Sequence, residues 1–204
     1  MSKAIEAWHF LAHGGEFGFV EVGHIYSVEA PIELCKWGFH GSTSACDALS
    51  FAISPVVGRV VLSGQVIQGR NKACAMRREY LWIADATEAL RAYARWCALQ
   101  VIGLWDAPDV VRRYLADGEE GIVQHARSAA YAAYAAWDDE NIPYDARAAY
   151  AARAASEACA VHAVSAARSA ASYARSAAAF ERTGRAVKAA QSEDLTQRLL
   201  RLRP

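Results

Sequence analysis

Along the first 84 residues, short runs of β-branched and aromatic residues are cut by glycine, proline and small polar clusters. Beyond residue 85 apolar positions recur every three or four residues instead. The first pattern predicts strands and turns, the second helices. Residues 5–11 read as a strand closed by the turn signal His13-Gly14-Gly15, and residues 19–22 and 24–28 as two short strands flanking Gly23. Pro31 breaks the chain, and residues 36–40 form a further strand. Residues 59–67 are the clearest strand; the polar turn 68–72 leads to another over 73–83, an antiparallel partner.

Helix starts carry their own signals. Ser44 with Asp47 three residues on opens a short helix with Ala45, Ala48, Leu49 and Ala52 at helical spacing, ending before Pro55. Asp85 answered by Glu88 opens a longer one, whose Leu90, Tyr93, Cys97, Val101 and Leu104 share a face. Pro108 fits the first turn of a third helix, with Val110, Val111, Tyr114 and Leu115, that stops at Gly118.

From residue 119 the helix signal is propensity rather than pattern. Of 45 alanines, 28 lie between residues 126 and 190, a stretch with no leucine. Asn141-Ile142-Pro143 and Gly184 divide it into helices over about 119–139, 144–183 and 185–202. On one continuous middle helix, Tyr144, His162, Tyr173 and Phe180 fall on one face and Arg153, Glu157, Arg168, Arg175 and Arg182 on the opposite one. Alanine buries little apolar area, so such a helix needs close partners. The expected fold is α+β: a small mixed or antiparallel sheet domain over 1–84, packing helices over 85–118, and an alanine-rich helical region over 119–204. A homo-oligomer through the alanine faces is expected.

Charge narrows the function. The chain carries 22 Lys+Arg against 22 Asp+Glu, with no basic half, which excludes a general nucleic-acid or acidic-membrane binder. Cys35, Cys46, Cys74, Cys97 and Cys159 are scattered without a C-x-x-C and read as reduced, mostly buried thiols. No signal-peptide core and no 18-residue apolar run occur, so a cytoplasmic chain without a membrane span is expected.

Nucleophile-elbow, P-loop and dinucleotide motifs are missing, and His9 and His13 lack the context of a metal pair. No catalytic residue, metal or cofactor is expected. One segment stands out: His40 at a strand end, then Gly41 and the hydroxyls Ser42, Thr43 and Ser44 at a helix start. This arrangement suits a small anionic ligand of nucleotide type; the alternative is that His40 hydrogen-bonds a turn and a serine caps the helix. Arg70, Lys72 and Arg77 would complete the ligand's surroundings. On a strand, Arg77 and Arg78 point to opposite faces, so the basic cluster converges only in part.

Several runs carry a family resemblance: Ala7-Trp8-His9-Phe10-Leu11, Val22-Gly23, Cys35 with Gly38-Phe39-His40 and Ser42, and Asp47-Ala48-Leu49. Further along come Leu62-Ser63-Gly64, Asn71-Lys72, Leu81-Trp82 and Leu104-Trp105-Asp106-Ala107-Pro108. In these the chain resembles, over essentially its whole length, bacterial and phage proteins with a C-x-x-G-[FL]-H-[AG]-S domain followed by alanine-rich repeats. That family has no assigned catalytic residues to carry over. Its phage members imply a counter-defence role, sequestering a host nucleotide immune signal. His40-Gly41-Ser42 and Ser42-Thr43-Ser44 are also similar to motifs of NAD-using ADP-ribosyltransferases. That resemblance implies an enzyme in which Glu79 or Glu88 supplies the missing glutamate. A third reading makes the alanine-rich helices a protein-interaction module.

Overall fold

The computed structural model describes residues 3–12, 20–135, 144–157, 162–179 and 184–204. It is an α+β fold: five strands in the first part of the chain, and helices that lie mostly after them. The strands are β1 (Ile5–Phe10), β2 (Ile25–Ser27), β3 (Phe39–Gly41), β4 (Val56–Gln68) and β5 (Ala73–Asp85). The helices are α1 (Ala45–Ser50), α2 (Thr87–Leu99), α3 (Asp109–Asp117), α4 (Val123–Ala135), α5 (Tyr144–Ser156), α6 (Ala163–Ala178) and α7 (Gly184–Leu200). Two compact units result, one of residues 1–86 with 196–204, the other of residues 87–195.

The sheet unit is organised by the β4–β5 hairpin. Both strands are rich in β-branched and aromatic residues, and the turn between them is closed by the Gly69 N–H to the Lys72 carbonyl at 2.8 Å. β1 pairs with the far edge of β4, while β2 and β3 lie one after the other along the free edge of β5; all the strand pairs are antiparallel. The sheet then curls onto itself. Ser42, just after β3, exchanges backbone hydrogen bonds of 2.7 and 2.9 Å with Trp8 of β1. Closure removes an edge that would otherwise expose unpaired amides.

Two irregularities make the curl. Gly64 sits at φ +80° where β4 holds one residue more than β5, between Ser63 and Val66. Leu81 has no partner opposite it between the pairs Arg59–Trp82 and Val60–Tyr80, and this reverses the side on which the following residues project. Ala7, Val60 and Tyr80 therefore share the inner face, with Phe39, Leu62, Ala73 and Ala75. Trp8, Arg59 and Trp82 share the other, where Trp8 meets Trp82 edge-on at 5.8 Å and Arg59 lies over the Trp8 ring.

The short strands depart from expectation. Instead of a pair flanking Gly23, only residues 25–27 form a strand, bound to β5, while Val22 makes a single bridge to Tyr80; Phe19 lies outside the described residues. The strand expected over 36–40 shrinks to β3, because Glu33 and Trp37 bond each other in a tight turn. Strand β5 runs through Asp85, and α2 begins at Thr87. The turn at His13 and the break at Asn141–Pro143 lie outside the described residues.

In the helical unit the single middle helix is replaced by two, α5 and α6, so the aromatic face drawn across 144–183 does not exist as one stripe. Tyr173 packs on Tyr150 of α5 with ring centroids 4.0 Å apart; Phe180 lies outside the described residues. Buried positions on α6 (163, 164, 166, 167, 170, 171, 174, 177 and 178) span far more than one stripe, because α6 packs against both α5 and α2. Methyl side chains make this double contact feasible, since they let helix axes approach to about 8 Å. Gln191 of α7 is wholly buried and fully satisfied, accepting from Arg175 at 2.7 Å and donating to the Ala171 carbonyl at 3.1 Å.

Close packing of this kind gives a direct test. Replacing the fully buried Ala170 by leucine is expected to cost about 1–3 kcal/mol through overpacking. Ser172→Leu on the exposed side of α6 should stay within about 0.5 kcal/mol of the parent. Urea unfolding monitored by circular dichroism distinguishes them; equal midpoints would contradict the tight interface.

Candidate functional site

Closure of the sheet opens a cleft. β1 contributes Trp8, His9 and Phe10; β3 and the residue after it contribute His40, Gly41 and Ser42; α1 and its C-cap contribute Ala48 and Phe51. Cys35 and Lys72 complete the lining of a space of about 220 Å³.

The turn that carries His40 is tightly specified. Cys35 takes a left-handed φ of +71°, and its N–H donates to His40 Nε2 at 3.0 Å. The Gly38 backbone beside the ring favours its protonated form, against the effect of burial. Gly38 itself sits at φ +119°, and a Cβ there would lie 2.5 Å from Cys74 Sγ. Cys74 in turn donates to the Trp37 carbonyl at 3.2 Å. The spacing of Cys35, Gly38 and His40 thus encodes a turn whose histidine accepts a backbone hydrogen bond at Nε2.

The hydroxyl run divides. Ser44 Oγ accepts from the Asp47 N–H at 3.3 Å and caps α1, and Thr43 is exposed to solvent. Ser42 is only 2% exposed and lines the cleft, and its hydroxyl has no hydrogen-bond partner among the described residues. Of the basic residues, Arg70 is exposed at the tip of the hairpin and Arg77 projects to solvent from β5; neither lines the cleft. Lys72 does. Its ammonium lies 4.6 Å from the centre of the Phe51 ring, and no carboxylate pairs with it among the described residues. The structure therefore brings His40, Ser42 and Lys72 together and leaves Thr43, Ser44, Arg70 and Arg77 outside the lining.

Behind the cleft lies Arg78, which points inward where Arg77 points out. It is 8% exposed, donates to the His40 carbonyl at 3.3 Å, and lies over the Phe39 and Tyr80 rings. Its Nε has no partner, and no carboxylate reaches it among the described residues. Burial lowers its pKa, opposed by Tyr80 and Tyr26; a guanidinium nonetheless stays charged. His9 Nδ1 lies 3.0 Å from the Tyr80 hydroxyl. Burial first, then Arg78 and His40, push the His9 pKa down to about 3. Burial also lowers that of His40, with Lys72 next in effect. Both imidazoles are consequently neutral at pH 7, and the positive charge of the region belongs to Lys72 and Arg78.

Sequence reasoning missed Trp8, Phe10 and Phe51 as lining residues, and Arg78 as the inward cation. Strand parity separates Arg77 from Arg78 but does not tell which faces in. A larger cavity of about 560 Å³ lies in the helical unit, but its charges are compensated: Arg91 pairs with Glu88 and Glu120, and Arg127 with Glu157. Among the described residues no three His, Cys, Asp or Glu side chains are grouped to hold a metal ion.

No protein-family model, curated protein or solved structure matches the chain.

Two outcomes test this geometry. Gly38→Ala combines a φ unsuited to alanine with a clash on Cys74 Sγ, and is expected to cost at least about 2 kcal/mol in urea unfolding. Adding Cys74→Ala should recover part of that loss; no recovery would mean the thiol is not the obstacle. The second concerns pH. His9 is protonated in the unfolded chain below about pH 6.5, but in the folded chain only near pH 3, so its contribution is present above pH 6.5 and lost as pH falls towards 3. His40 acts in the same direction. Stability should fall between pH 6.5 and 4.5 by up to about 1.4 kcal/mol per pH unit from His9 alone. His9→Asn, which keeps an acceptor for Tyr80, should flatten that slope, and an unchanged slope would refute the neutral buried imidazole.

Proposed function

We propose that this protein binds a small anionic ligand, without turning it over, in the cleft between β1, β3, α1 and the β4–β5 turn. One observation carries the reading: among the described residues the lining holds an ammonium with no ion-pair partner, that of Lys72, a serine hydroxyl with no hydrogen-bond partner, and no carboxylate. Arg78 adds a second cation behind it, with no carboxylate paired to it among the described residues. A buried cation such as Arg78 is normally paired, and an anion in the cleft, beside the half-buried Lys72, would supply a counter-charge. The neutral histidines and the Ser42 hydroxyl provide polar surface without competing negative charge. A nucleotide phosphate is one such anion, and sequestration of a nucleotide signal is the role that fits the family resemblance.

Two other readings draw less support. For an ADP-ribosyltransferase, neither Glu79 nor Glu88 lines the cleft, and Glu88 is an exposed partner of Arg91. For an interaction module, the alanines of α5 and α6 are already covered by neighbouring helices of the same chain.

Calorimetric titration with inorganic phosphate, AMP and phenylacetate tests the proposal. At least one should bind, more weakly as salt rises, and Lys72→Gln should weaken that binding about tenfold or more, as loss of a charge-assisted hydrogen bond implies. If no anion of the set binds in a Lys72-dependent way, the proposal is wrong.

A further inference from the structure

The lining of the same cleft says more about its occupant than the sign of its charge. The space of about 220 Å³ falls below the roughly 300–1,000 Å³ of pockets that enclose drug-sized ligands. A nucleotide would leave much of itself outside. Within the lining there is a single ammonium, enough to match one negative charge and not a di- or triphosphate. The remaining wall is largely apolar: Trp8, Phe10, Ala48 and Phe51.

Phe51 is the informative member of that wall. It is 48% exposed although it borders a concave site, and the Lys72 ammonium is drawn over its ring. An apolar ligand surface laid against the ring would remove it from water, while the ligand's anionic end met the ammonium beside it. On the inner side lies Ser42, a 2% exposed residue whose hydroxyl has no hydrogen-bond partner among the described residues and can donate to one oxygen of that anionic end. Anion sites for phosphate alone have little use for such a wall, since a fully hydrated phosphate gains nothing from apolar contact.

Resting on the anion-binding reading above, we infer that the ligand class of this cleft is a small aromatic monocarboxylate. Its carboxylate is held between the Lys72 ammonium and the Ser42 hydroxyl, and its ring lies against Phe51.

The test ranks the same three probes and adds two variants. Phenylacetate is expected to bind at least about tenfold more tightly than either phosphate or AMP. Phe51→Ser, at a half-exposed position, should weaken phenylacetate about fivefold to tenfold and phosphate by clearly less, as loss of one aromatic contact face implies. Lys72→Gln should weaken all bound anions alike. Phosphate or AMP binding more tightly than phenylacetate with Lys72 dependence intact overturns this inference and leaves the anion site standing. Phenylacetate binding that ignores Phe51→Ser overturns it too. Loss of every Lys72-dependent signal removes the anion site itself. A proton–nitrogen correlation spectrum of each variant confirms the fold, so that unfolding is not read as lost affinity.

Discussion

Two backbone hydrogen bonds between Trp8 and Ser42 hold the candidate site together. They join β1 to the segment just after β3, and most of what lines the cleft flanks that junction. Trp8, His9 and Phe10 come from one side of it, His40, Gly41 and Ser42 from the other. The junction needs a strongly curled sheet, which the extra residue in β4 and the unpaired Leu81 in β5 supply. It also needs close backbone approach, and a Cβ on Gly41 would come within 3.0 Å of Ala7 Cβ. The curl places the polar cluster on the inner face at the cost of burying a guanidinium there.

That buried charge is managed by subtraction. Arg78 is surrounded by aromatic faces and one carbonyl, and the two nearby histidines are held neutral by burial first and by the neighbouring cations second. A carboxylate at any of these places would quench the field reaching the cleft. The helical unit follows the opposite policy: Arg91, Arg127 and Arg153 each meet a glutamate. Its larger cavity therefore presents a balanced lining, and volume is the poorer guide to where binding chemistry lies.

How much of this was legible in the sequence depends on the range of the forces involved. β1, β4 and β5 were readable because β-branched runs and a polar turn act locally. β2 and β3 were not, since three-residue strands exist only through their pairing with β5, far along the chain. The division between α5 and α6 left no trace because alanine favours helix equally on both sides of it, and no glycine or proline marks residues 157–162. At the site, His40, Ser42 and Lys72 were visible as residue types near a turn. Trp8 and Phe51 became neighbours of the cleft only by closure, which no local pattern announces.

The turn motif separates scaffold from function. Cys35 donates its N–H to His40, Gly38 makes room for the Cys74 thiol, and Ser44 caps a helix. Each of these groups is consumed by the structure it builds, and a side chain whose hydrogen bonds are spent has little left for a ligand. Two groups that line the same cleft are not spent among the described residues: the Ser42 hydroxyl and the Lys72 ammonium. A hydroxyl and a half-buried cation without protein partners are both available to a ligand that enters the cleft. Recognition chemistry is therefore read from what the motif leaves unsatisfied, not from the residues that make the motif recognisable.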